Sequence, residues 1–314
     1  MAEPAFGRIA ASAPKGSVWD RQWDRYKASF ATRPDLFELE YHVHGELGAS
    51  EALLSAVRRG RVQFVATSQS VISTQIPEVA VLSLPYLFES RREADYVYDC
   101  CILDLYQELA ANQGFVLLQF AEAGWSHFYS QGPIRVPADV RGIRVRAAQS
   151  PAVVGFLRQL GADVVFLTMA DVVPSLQTGM IDAGFGAITW HVGATRTDAP
   201  HFTLTGHVYE TGLFLLNKRW WDDFTEEQRL FLTDAFEGFD SQRREVRVDQ
   251  DGEIDRIIDE GDAVYLPKPD ELQLWARTGQ ASHPDVLREL GDDAQYIYDR
   301  IVGAKARFRE QSAD

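Results

Sequence analysis

The chain has 314 residues, of which 46% are hydrophobic and 25% charged, as in a soluble globular protein with room for about two domains. Its formal net charge of −15 disfavours nucleic acid and anionic membrane surfaces as partners, so an anionic ligand would need local positive charge. No apolar run is long enough to cross a bilayer, so direct membrane insertion is not expected. The two cysteines, Cys100 and Cys101, are adjacent and are interpreted as small core or half-buried residues rather than a disulfide framework or a zinc site.

The first ten residues, MAEPAFGRIA, lack the basic and apolar regions of a signal peptide. This numbering therefore shows no export signal. Composition fits a cytosolic protein and a mature exported protein equally well, so localisation has to be inferred from other features.

The first third of the chain alternates strand and helix patterns, as a wound α/β protein does. Short apolar or alternating stretches predict strands at "FGRIAAS", "LFELEYHVH" and "VQFVATS". Between them, Trp19, Trp23, Tyr26 and Phe30 recur at the spacing of a helix with one buried face, and a second helix is predicted over "GASEALLSAVRRGRV". A buried connection, "PEVAVLSLPYLF", and an amphipathic helix ending at Gly114 follow.

A second region begins near Gly124, after the predicted strand "FVLLQFAEAG". Further on, Ile143 and Val145 alternate with Arg144 and Arg146, which predicts a strand whose apolar residues face a core and whose arginines face a cleft or water. A helix, the strand "DVVFLT" and a short helix come next.

The last third is dominated by charged helical patterns. Thr225 and Gln228 predict a capping box, followed by a long charged helical run to about Glu260. Because it has no strong heptad seam, the run is interpreted as a solvated helix that bridges two lobes. The strand "DAVYLP" and two more helices are predicted to close the chain.

Motifs for catalysis or metal binding are weak. His42 and His44 lie on one side of a predicted strand but have no third ligand at helical spacing. The "GFG" at Gly184 is not a dinucleotide fingerprint, and Ser126 lies in no nucleophile elbow and has no base placed near it. We therefore predict no catalytic residues and no cofactor.

One long segment, residues 136–184, carries a specific resemblance. Its sequence, "VPADVRGIRVRAAQSPAVVGFLRQLGADVVFLTMADVVPSLQTGMIDAG", resembles the signature region of the solute-binding proteins of TRAP (tripartite ATP-independent periplasmic) transporters, which take up organic acids. The stretches "GASEALLSAVRRGRVQFVATS", "PEVAVLSLPYLF" and "LLNKRWWDDFTEEQR" match the family in the same order. The resemblance therefore covers nearly the whole chain.

The resemblance implies an α/β, two-lobed periplasmic binding protein fold of type II, with lobes that are joined by crossing strands and a long helix and that close on the ligand as hinged bodies. Lobe I is expected at residues 1–124 and about 206–240, and lobe II at residues 125–205 and about 241–314. The implied function is capture of an organic acid in the periplasm and its delivery to the membrane subunits of a TRAP transporter. An extracytoplasmic ligand sensor, and less readily an enzyme on the same scaffold, are the alternatives.

The same resemblance assigns the ligand site. In the family, an arginine at the end of the matching strand pairs with the ligand's carboxylate, and Arg146 holds that position, whereas Arg144 is expected at the rim. A planar guanidinium suits a carboxylate because it donates two parallel hydrogen bonds. The further expected ligand-binding residues are Ser12, Ser68, Gln69, Trp125, Ser126, Met169, Phe185, Gly186, Trp190, Tyr209 and Glu210. Some members hold a metal ion with the ligand, and the sequence leaves that open.

Two departures from the family predict the ligand's character. Ser126 and Gly186 stand where relatives carry a second arginine and an asparagine. Fewer polar side chains are therefore expected to be available to bind a second carboxylate of the ligand. Trp125, Phe185 and Trp190 lie close by in sequence and would offer flat apolar walls. The predicted ligand is therefore a bulky or aromatic monocarboxylate rather than a four-carbon dicarboxylate.

Overall fold

A computed structural model describes residues 3–236 and 239–313. The strands are β1 (Ala5–Ala10), β2 (Phe37–His42), β3 (Phe64–Ser68), β4 (Phe115–Ser130), β5 (Arg144–Ala147), β6 (Asp163–Phe166), β7 (Ala183–Gly186), β8 (His201–Asn217) and β9 (Ala263–Tyr265). The helices are α1 (Val18–Phe30), α2 (Ser50–Arg58), α3 (Gln69–Ile72), α4 (Arg91–Val97), α5 (Leu103–Asn112), α6 (Pro151–Leu160), α7 (Val172–Gln177), α8 (Ile188–Trp190), α9 (Lys218–Asp222), α10 (Glu226–Ala235), α11 (Phe239–Asp259), α12 (Pro269–Gln280), α13 (His283–Leu290) and α14 (Asp292–Ala313).

The chain divides into two compact units, of which the first comprises Met1–Ser68, Leu105–Glu122 and Thr211–Asp249. In its sheet β1 is parallel to β2 and β3, and β8 is antiparallel to β3. The predicted stripe on α1 packs into the core, where Trp23 stacks on Phe214. Burial of these large rings supplies the main stabilisation of this core, at about 25 cal/mol for each Å² of apolar surface.

The second unit comprises Gln69–Asp104, Ala123–Glu210 and Gln250–Asp314. Here β4 is antiparallel to β7, which is parallel to β5, and β5 is parallel to β6. The core against α6 contains the fully buried Trp275, whose indole N–H donates to the Arg135 carbonyl over 3.0 Å. A second cluster surrounds Leu176 and Ile257. β5 is therefore an internal strand between β7 and the edge strand β6, and β7 separates it from β4.

Single elements run through both units. β4 passes from the first unit to the second after Glu122, and it continues as one strand past Gly124, where the sequence predicted a strand to end. Gly124 has φ +92°, and a Cβ there would lie 2.0 Å from Gln250 Oε1. The amide of Gln250, on α11, donates to the Ala123 carbonyl over 2.8 Å. Gly124 is therefore required both by its backbone conformation and by this close approach.

Three helical details differ from the sequence predictions. The charged run after Thr225 is two helices, α10 and α11, and three helices rather than two close the chain. The capping box is confirmed, because the Thr225 hydroxyl accepts from the Gln228 N–H and the Gln228 side chain accepts from the Thr225 N–H. A π-helical turn, Tyr98–Ile102, separates α4 from α5, and in it a disulfide joins Cys100 to Cys101. Cys101 is buried as expected, whereas Cys100 is exposed, contrary to the interpretation of both as core or half-buried residues.

Residues 69–104 belong to the second unit, whereas the sequence division assigned them to lobe I. They pack on α14, where Arg300 Nε donates to the Cys101 carbonyl over 2.6 Å and Lys305 donates to the Leu87 carbonyl. Partners this far apart in sequence leave no local pattern for periodicity to detect. The division into moving lobes stays a prediction. Across the described residues, every helix falls short of the length and apolarity that a membrane span requires.

Candidate functional site

The two arginines of β5 have different surroundings. Arg144 is exposed and makes a two-pronged ion pair with Asp182, from Nε over 2.8 Å and from Nη2 over 2.6 Å. Arg146 is only 8% exposed, and its Nε donates to the Leu167 carbonyl over 3.0 Å. The alternation predicted that both arginines face a cleft or water; Arg144 lies at the surface and Arg146 is buried. The bond to Leu167, the residue after β6, fixes the orientation of the Arg146 guanidinium.

Glu210 lies within the electrostatic reach of Arg146. Desolvation raises the pKa of the Glu210 carboxyl to about 7, and the Arg146 guanidinium and the Ser126 hydroxyl oppose that rise only in part. Glu210 makes no direct ion pair with any residue that the structure describes. The sequence analysis placed no base near Ser126, whereas in the structure the Ser126 hydroxyl acts on the pKa of the Glu210 carboxyl. Ser126 lies on β4 and Glu210 on β8, which are far apart in sequence, so no motif reports their proximity.

Two hydrogen-bond donors of this neighbourhood are buried without a completed hydrogen bond. They are the Ser126 hydroxyl and the indole N–H of Trp190, neither of which has a partner in the described parts of the chain. Ser126 is 1% exposed, yet its hydroxyl is near enough to Glu210 to favour the ionised carboxylate. A buried donor that makes no hydrogen bond carries a desolvation cost of about 1–3 kcal/mol. Such donors suit a ligand with several hydrogen-bond acceptors, because its oxygens would accept hydrogen bonds from them.

Tyr129 joins this neighbourhood, although the sequence analysis did not select it. Its side chain is buried, and burial raises the pKa of its phenol while Arg146 and Trp190 oppose the rise. A Cβ at Gly184 would lie 2.3 Å from the Tyr129 hydroxyl, and one at Gly186 would lie 3.2 Å from the Trp190 ring. The two glycines therefore make space for the protein's own aromatic rings. The only sequence signal for Tyr129 was the pair of small residues on a neighbouring strand.

Of the other predicted aromatic residues, Trp125 and Phe185 are half-buried and Tyr209 is buried. The ring of Trp125 packs edge-on against Tyr209, with centroids 5.0 Å apart. Phe185 lies 5.8 Å from the ring of Phe128, its partner across the β4–β7 ladder. Met169 is 39% exposed in a short 3-10 turn before α7. The side chains of Trp125, Phe185 and Met169 therefore keep some surface accessible.

The predicted residues near the end of β3 have structural roles that the sequence did not show. Gln69 is fully buried, and its amide nitrogen donates to the carbonyls of Leu82 and Tyr209 over 3.1 and 3.3 Å. Ser68 ends β3 in the first unit, opposite Gly212. Ser12 is exposed after β1 in the same unit, in an isolated bridge with His44. The structure thus places Ser12 and Ser68 in one unit and the residues around Arg146 in the other.

His44, from the weak metal motif, is held by two carboxylates. Its Nε2 lies 2.7 Å from Asp20 Oδ1, and its Nδ1 lies 3.4 Å from Glu46 Oε1. Over residues 3–236 and 239–313, no group of three or more histidine, cysteine, aspartate or glutamate side chains is arranged to hold a metal ion. His44 therefore lies between two carboxylates.

A family model for bacterial extracellular solute-binding proteins, family 7, matches residues 15–289. Among curated relatives, a solute-binding protein of Verminephrobacter eiseniae and the 2,3-diketo-L-gulonate-binding periplasmic protein YiaO of Escherichia coli are each 28% identical over 218 residues, 68% of this chain. These matches span 64% and 66% of the two relatives, just under two thirds of their length. The ectoine-binding periplasmic protein TeaA of Halomonas elongata is 23% identical over 94% of this chain and 88% of its own.

Solved structures agree on the fold. The periplasmic ectoine-binding protein of the TeaABC TRAP transporter of Halomonas elongata has a TM-score of 0.90 and 22% identity, covering 96% of this chain and 99% of its own. The sugar acid binding protein of Advenella mimigardefordensis, solved with galactonate, has a TM-score of 0.89 and 19% identity, covering 97% and 100%. The predicted fold class is confirmed. Because the family model matches most of the chain, this protein belongs to the bacterial extracellular solute-binding proteins of family 7.

Proposed function

We propose that this protein binds a small organic acid in the periplasm and delivers it to the membrane subunits of a TRAP transporter. Family membership supports a binding role rather than an enzymatic one. The relatives and matched structures support the ligand class, since their names include a diketogulonate, a galactonate and a succinate binder. The transporter in the names of the matched structures supports the partner.

The observation that carries the proposal is the buried Arg146 guanidinium on β5. Its Nε is held by the Leu167 carbonyl, and the buried donors of Ser126 and Trp190 belong to the same neighbourhood. A carboxylate has about four lone-pair sites and would accept hydrogen bonds from such donors. We propose that Arg146 binds the ligand's carboxylate, with Trp125, Phe185 and Trp190 against its body. The rings favour a bulky or aromatic acid.

The remaining predicted residues, Ser12, Ser68, Gln69, Met169, Tyr209 and Gly186, are kept as proposed contributors to ligand binding. Gln69 and Tyr209 would act by supporting the backbone beside Glu210, because the Gln69 amide holds the Tyr209 carbonyl. No metal or other cofactor is part of the proposal.

The test is a thermal-shift screen followed by calorimetry. The panel comprises galactonate, galacturonate, glucuronate, succinate, ectoine, benzoate and phenylacetate. A ligand at a hundred times its dissociation constant stabilises the folded protein by about 2.7 kcal/mol, which is readily seen. We expect at least one acid to bind, the shift to vanish in Arg146→Ala, and Arg144→Ala to serve as the matched control. Binding that is undiminished in Arg146→Ala, or absent for every acid, would refute the proposal.

An enzyme on this scaffold is the second candidate, and one observation favours it. The Ser126 hydroxyl lies beside the carboxyl of Glu210, whose pKa of about 7 suits a general base. The distinguishing measurement is recovery of the bound acid after prolonged incubation. A nuclear magnetic resonance spectrum in which the ligand is unchanged supports binding alone. Formation of a product by the wild type, but not by Glu210→Gln, supports catalysis.

A further inference from the structure

The disulfide between Cys100 and Cys101 is not explained by a structural role. The two cysteines are neighbours in sequence and are the only two in the chain. A disulfide stabilises a fold mainly by closing a loop of the unfolded chain, and its contribution grows with the length of that loop. A bridge between adjacent residues closes no loop beyond their shared peptide unit. It therefore adds little to the free energy of unfolding.

The two halves of the disulfide differ in accessibility. Cys100 is exposed, whereas Cys101 is only 7% exposed. Both lie in the π-helical turn Tyr98–Ile102, between α4 and α5. A disulfide is broken when a thiolate attacks one of its sulfurs, so the rate depends on access to that sulfur. Cys100 is therefore the half that a thiol from solvent reaches more easily.

Cys101 has a cation beside its sulfur. Nη2 of Arg307, on α14, lies 3.6 Å from Cys101 Sγ, within hydrogen-bond distance for sulfur. Two turns earlier on α14, Arg300 Nε donates to the Cys101 carbonyl over 2.6 Å, and its Nη2 pairs with Asp104 over 3.0 Å. These contacts hold the backbone of Cys101 against α14. A neighbouring cation stabilises a thiolate, so Cys101 is the better leaving group when the disulfide breaks.

We infer that the Cys100–Cys101 disulfide is a site of thiol–disulfide exchange with small-molecule thiols, at which the thiol adds to Cys100. The reagent thiolate forms a bond to Cys100 Sγ, and the bond between the two cysteine sulfurs breaks. Its electron pair stays on Cys101 Sγ as a thiolate beside Arg307. A second reagent thiolate then attacks the reagent sulfur of the mixed disulfide and releases Cys100. Two reagent thiols are thereby oxidised to a disulfide, and the protein disulfide is reduced to two thiols.

The inference goes beyond the proposed function and does not depend on it. None of the residues that carry it belongs to the proposed ligand site. With only two cysteines in the chain, no internal thiol is left to open the bridge, so the attacking thiol must come from outside. Asp99 is exposed in the same turn and adds a negative charge next to Cys100, which would repel an anionic thiol. The positively charged thiol cysteamine is therefore the reagent for the test.

The first measurement determines which sulfur the thiol attacks. The folded full-length chain, mildly oxidised, is mixed with excess cysteamine at pH 8 and quenched with acid at early times, and its free thiols are alkylated. Cleavage before Asp99 and Asp104 releases the peptide 99–103, whose fragment masses distinguish the two cysteines. We expect cysteamine on Cys100 and the alkyl group on Cys101, in at least about fivefold excess over the reverse arrangement. Cysteamine mainly on Cys101, or a disulfide that stays intact in excess thiol, overturns the inference.

The second measurement tests the cation. Arg307→Gln should slow the opening of the disulfide by cysteamine about twofold to fivefold, because the leaving thiolate loses a stabilising charge. Arg307→Lys should keep most of the wild-type rate, since an ammonium also stabilises a thiolate. Arg309→Gln is the matched control, because Arg309 lies on the same helix and pairs with Glu89. An Arg307→Gln rate equal to that of the wild type is incompatible with Cys101 as the assisted leaving group.

The third measurement separates an exchange site from a structural cross-link. Thermal unfolding of the oxidised and the reduced chain should give midpoints within about 2 °C of each other, because the bridge closes no loop. The Arg307 variants should unfold at the wild-type midpoint, so that their rates report on chemistry rather than on folding. A midpoint that drops by more than about 5 °C on reduction would identify a structural disulfide and refute the inference. A chain that does not form the disulfide on mild oxidation refutes it as well.

Discussion

The two units differ in the burial and the partners of one glutamate each, Glu122 in the first and the half-buried Glu210 in the second. In the first unit Glu122 is 6% exposed and accepts from Nη2 and Nε of Arg247 over 2.8 and 3.2 Å. In the second unit Glu210 has no such pair, and desolvation raises its pKa to about 7. A buried carboxylate with a guanidinium partner is a stable structural element. One with a raised pKa and no direct partner is typical of a functional site.

The histidines show the same contrast. His42 and His44 of the first unit are partly exposed and lie beside carboxylates. His127, His191 and His207 of the second unit are buried among aromatic rings. Burial lowers the pKa of His127 to about 3 and of His191 to about 4, and it lowers that of His207 as well. The second unit therefore concentrates groups whose charge state depends on the fold.

The largest predicted effect is a loss of stability in mild acid. The three buried histidines stay neutral in the folded chain, whereas in the unfolded chain they take up protons below their usual pKa of 6.5. Stability therefore falls as pH drops from about 6.5 to 5, by roughly 2 kcal/mol for each histidine. Glu210 opposes this, because its raised pKa makes the folded chain bind a proton between about pH 7 and 4.5.

The net expectation is a loss of about 4 kcal/mol between pH 7 and pH 5, measured by urea unfolding. Glu210→Gln removes the opposing contribution of the Glu210 carboxyl, so the free energy of unfolding should fall more steeply as pH drops. His191→Phe should make the fall in the free energy of unfolding less steep, because the phenylalanine ring can stack on Phe202 as the histidine does but does not titrate. A free energy of unfolding that is constant from pH 7 to pH 5 would contradict the neutral, buried assignment of these histidines.

The second prediction compares the two arginines of β5 in ligand binding. Arg146→Ala should cost about 2–5 kcal/mol of binding free energy for an acid found in the screen, because the bound carboxylate would be left without its cation. Arg146→Lys should restore little of it, since an ammonium does not offer the planar fork. Calorimetry that finds equal losses for Arg144→Ala and Arg146→Ala would remove the distinction between them.

The third prediction concerns the glycines beside the aromatic rings. Gly184→Ala should destabilise the fold by about 1–3 kcal/mol, since its Cβ would lie 2.3 Å from the Tyr129 hydroxyl and 2.5 Å from Cζ. Gly193→Ala is the matched control, because no atom lies within 4 Å of a Cβ built there. The measurement is urea unfolding of both variants. Equal stabilities would show that Tyr129 moves aside readily.

Local patterns were sufficient for most of the fold. The helix spacing of Trp23, Tyr26 and Phe30 predicted α1 and its buried face, and Ser17 caps it by accepting from the Asp20 N–H. Local patterns do not show which distant segments of the chain lie close together. The sequence therefore did not predict that residues 69–104 pack on α14 or that Ser126 acts on Glu210. Arg146 was selected by the family resemblance, and its contact with Leu167 is a property of the β5–β6 pair that no motif encodes.

The smallest predicted effect is the coupling free energy between Arg144 and its ion-pair partner Asp182. Its ion pair with Asp182 is exposed, with 47% and 31% of the two side chains accessible, so a double-mutant cycle of Arg144→Ala and Asp182→Ala should give a coupling of about 0.2–1 kcal/mol. The hydrogen bonds from Arg144 hold the pKa of Asp182 below its usual range, so this stabilisation is present above about pH 4 and lost as pH falls further. Salt at 1 M should shrink it as well, because an exposed pair is screened. A coupling above 2 kcal/mol that survives salt would show that Arg144 is as strongly integrated as Arg146, and that burial is not what separates the two arginines.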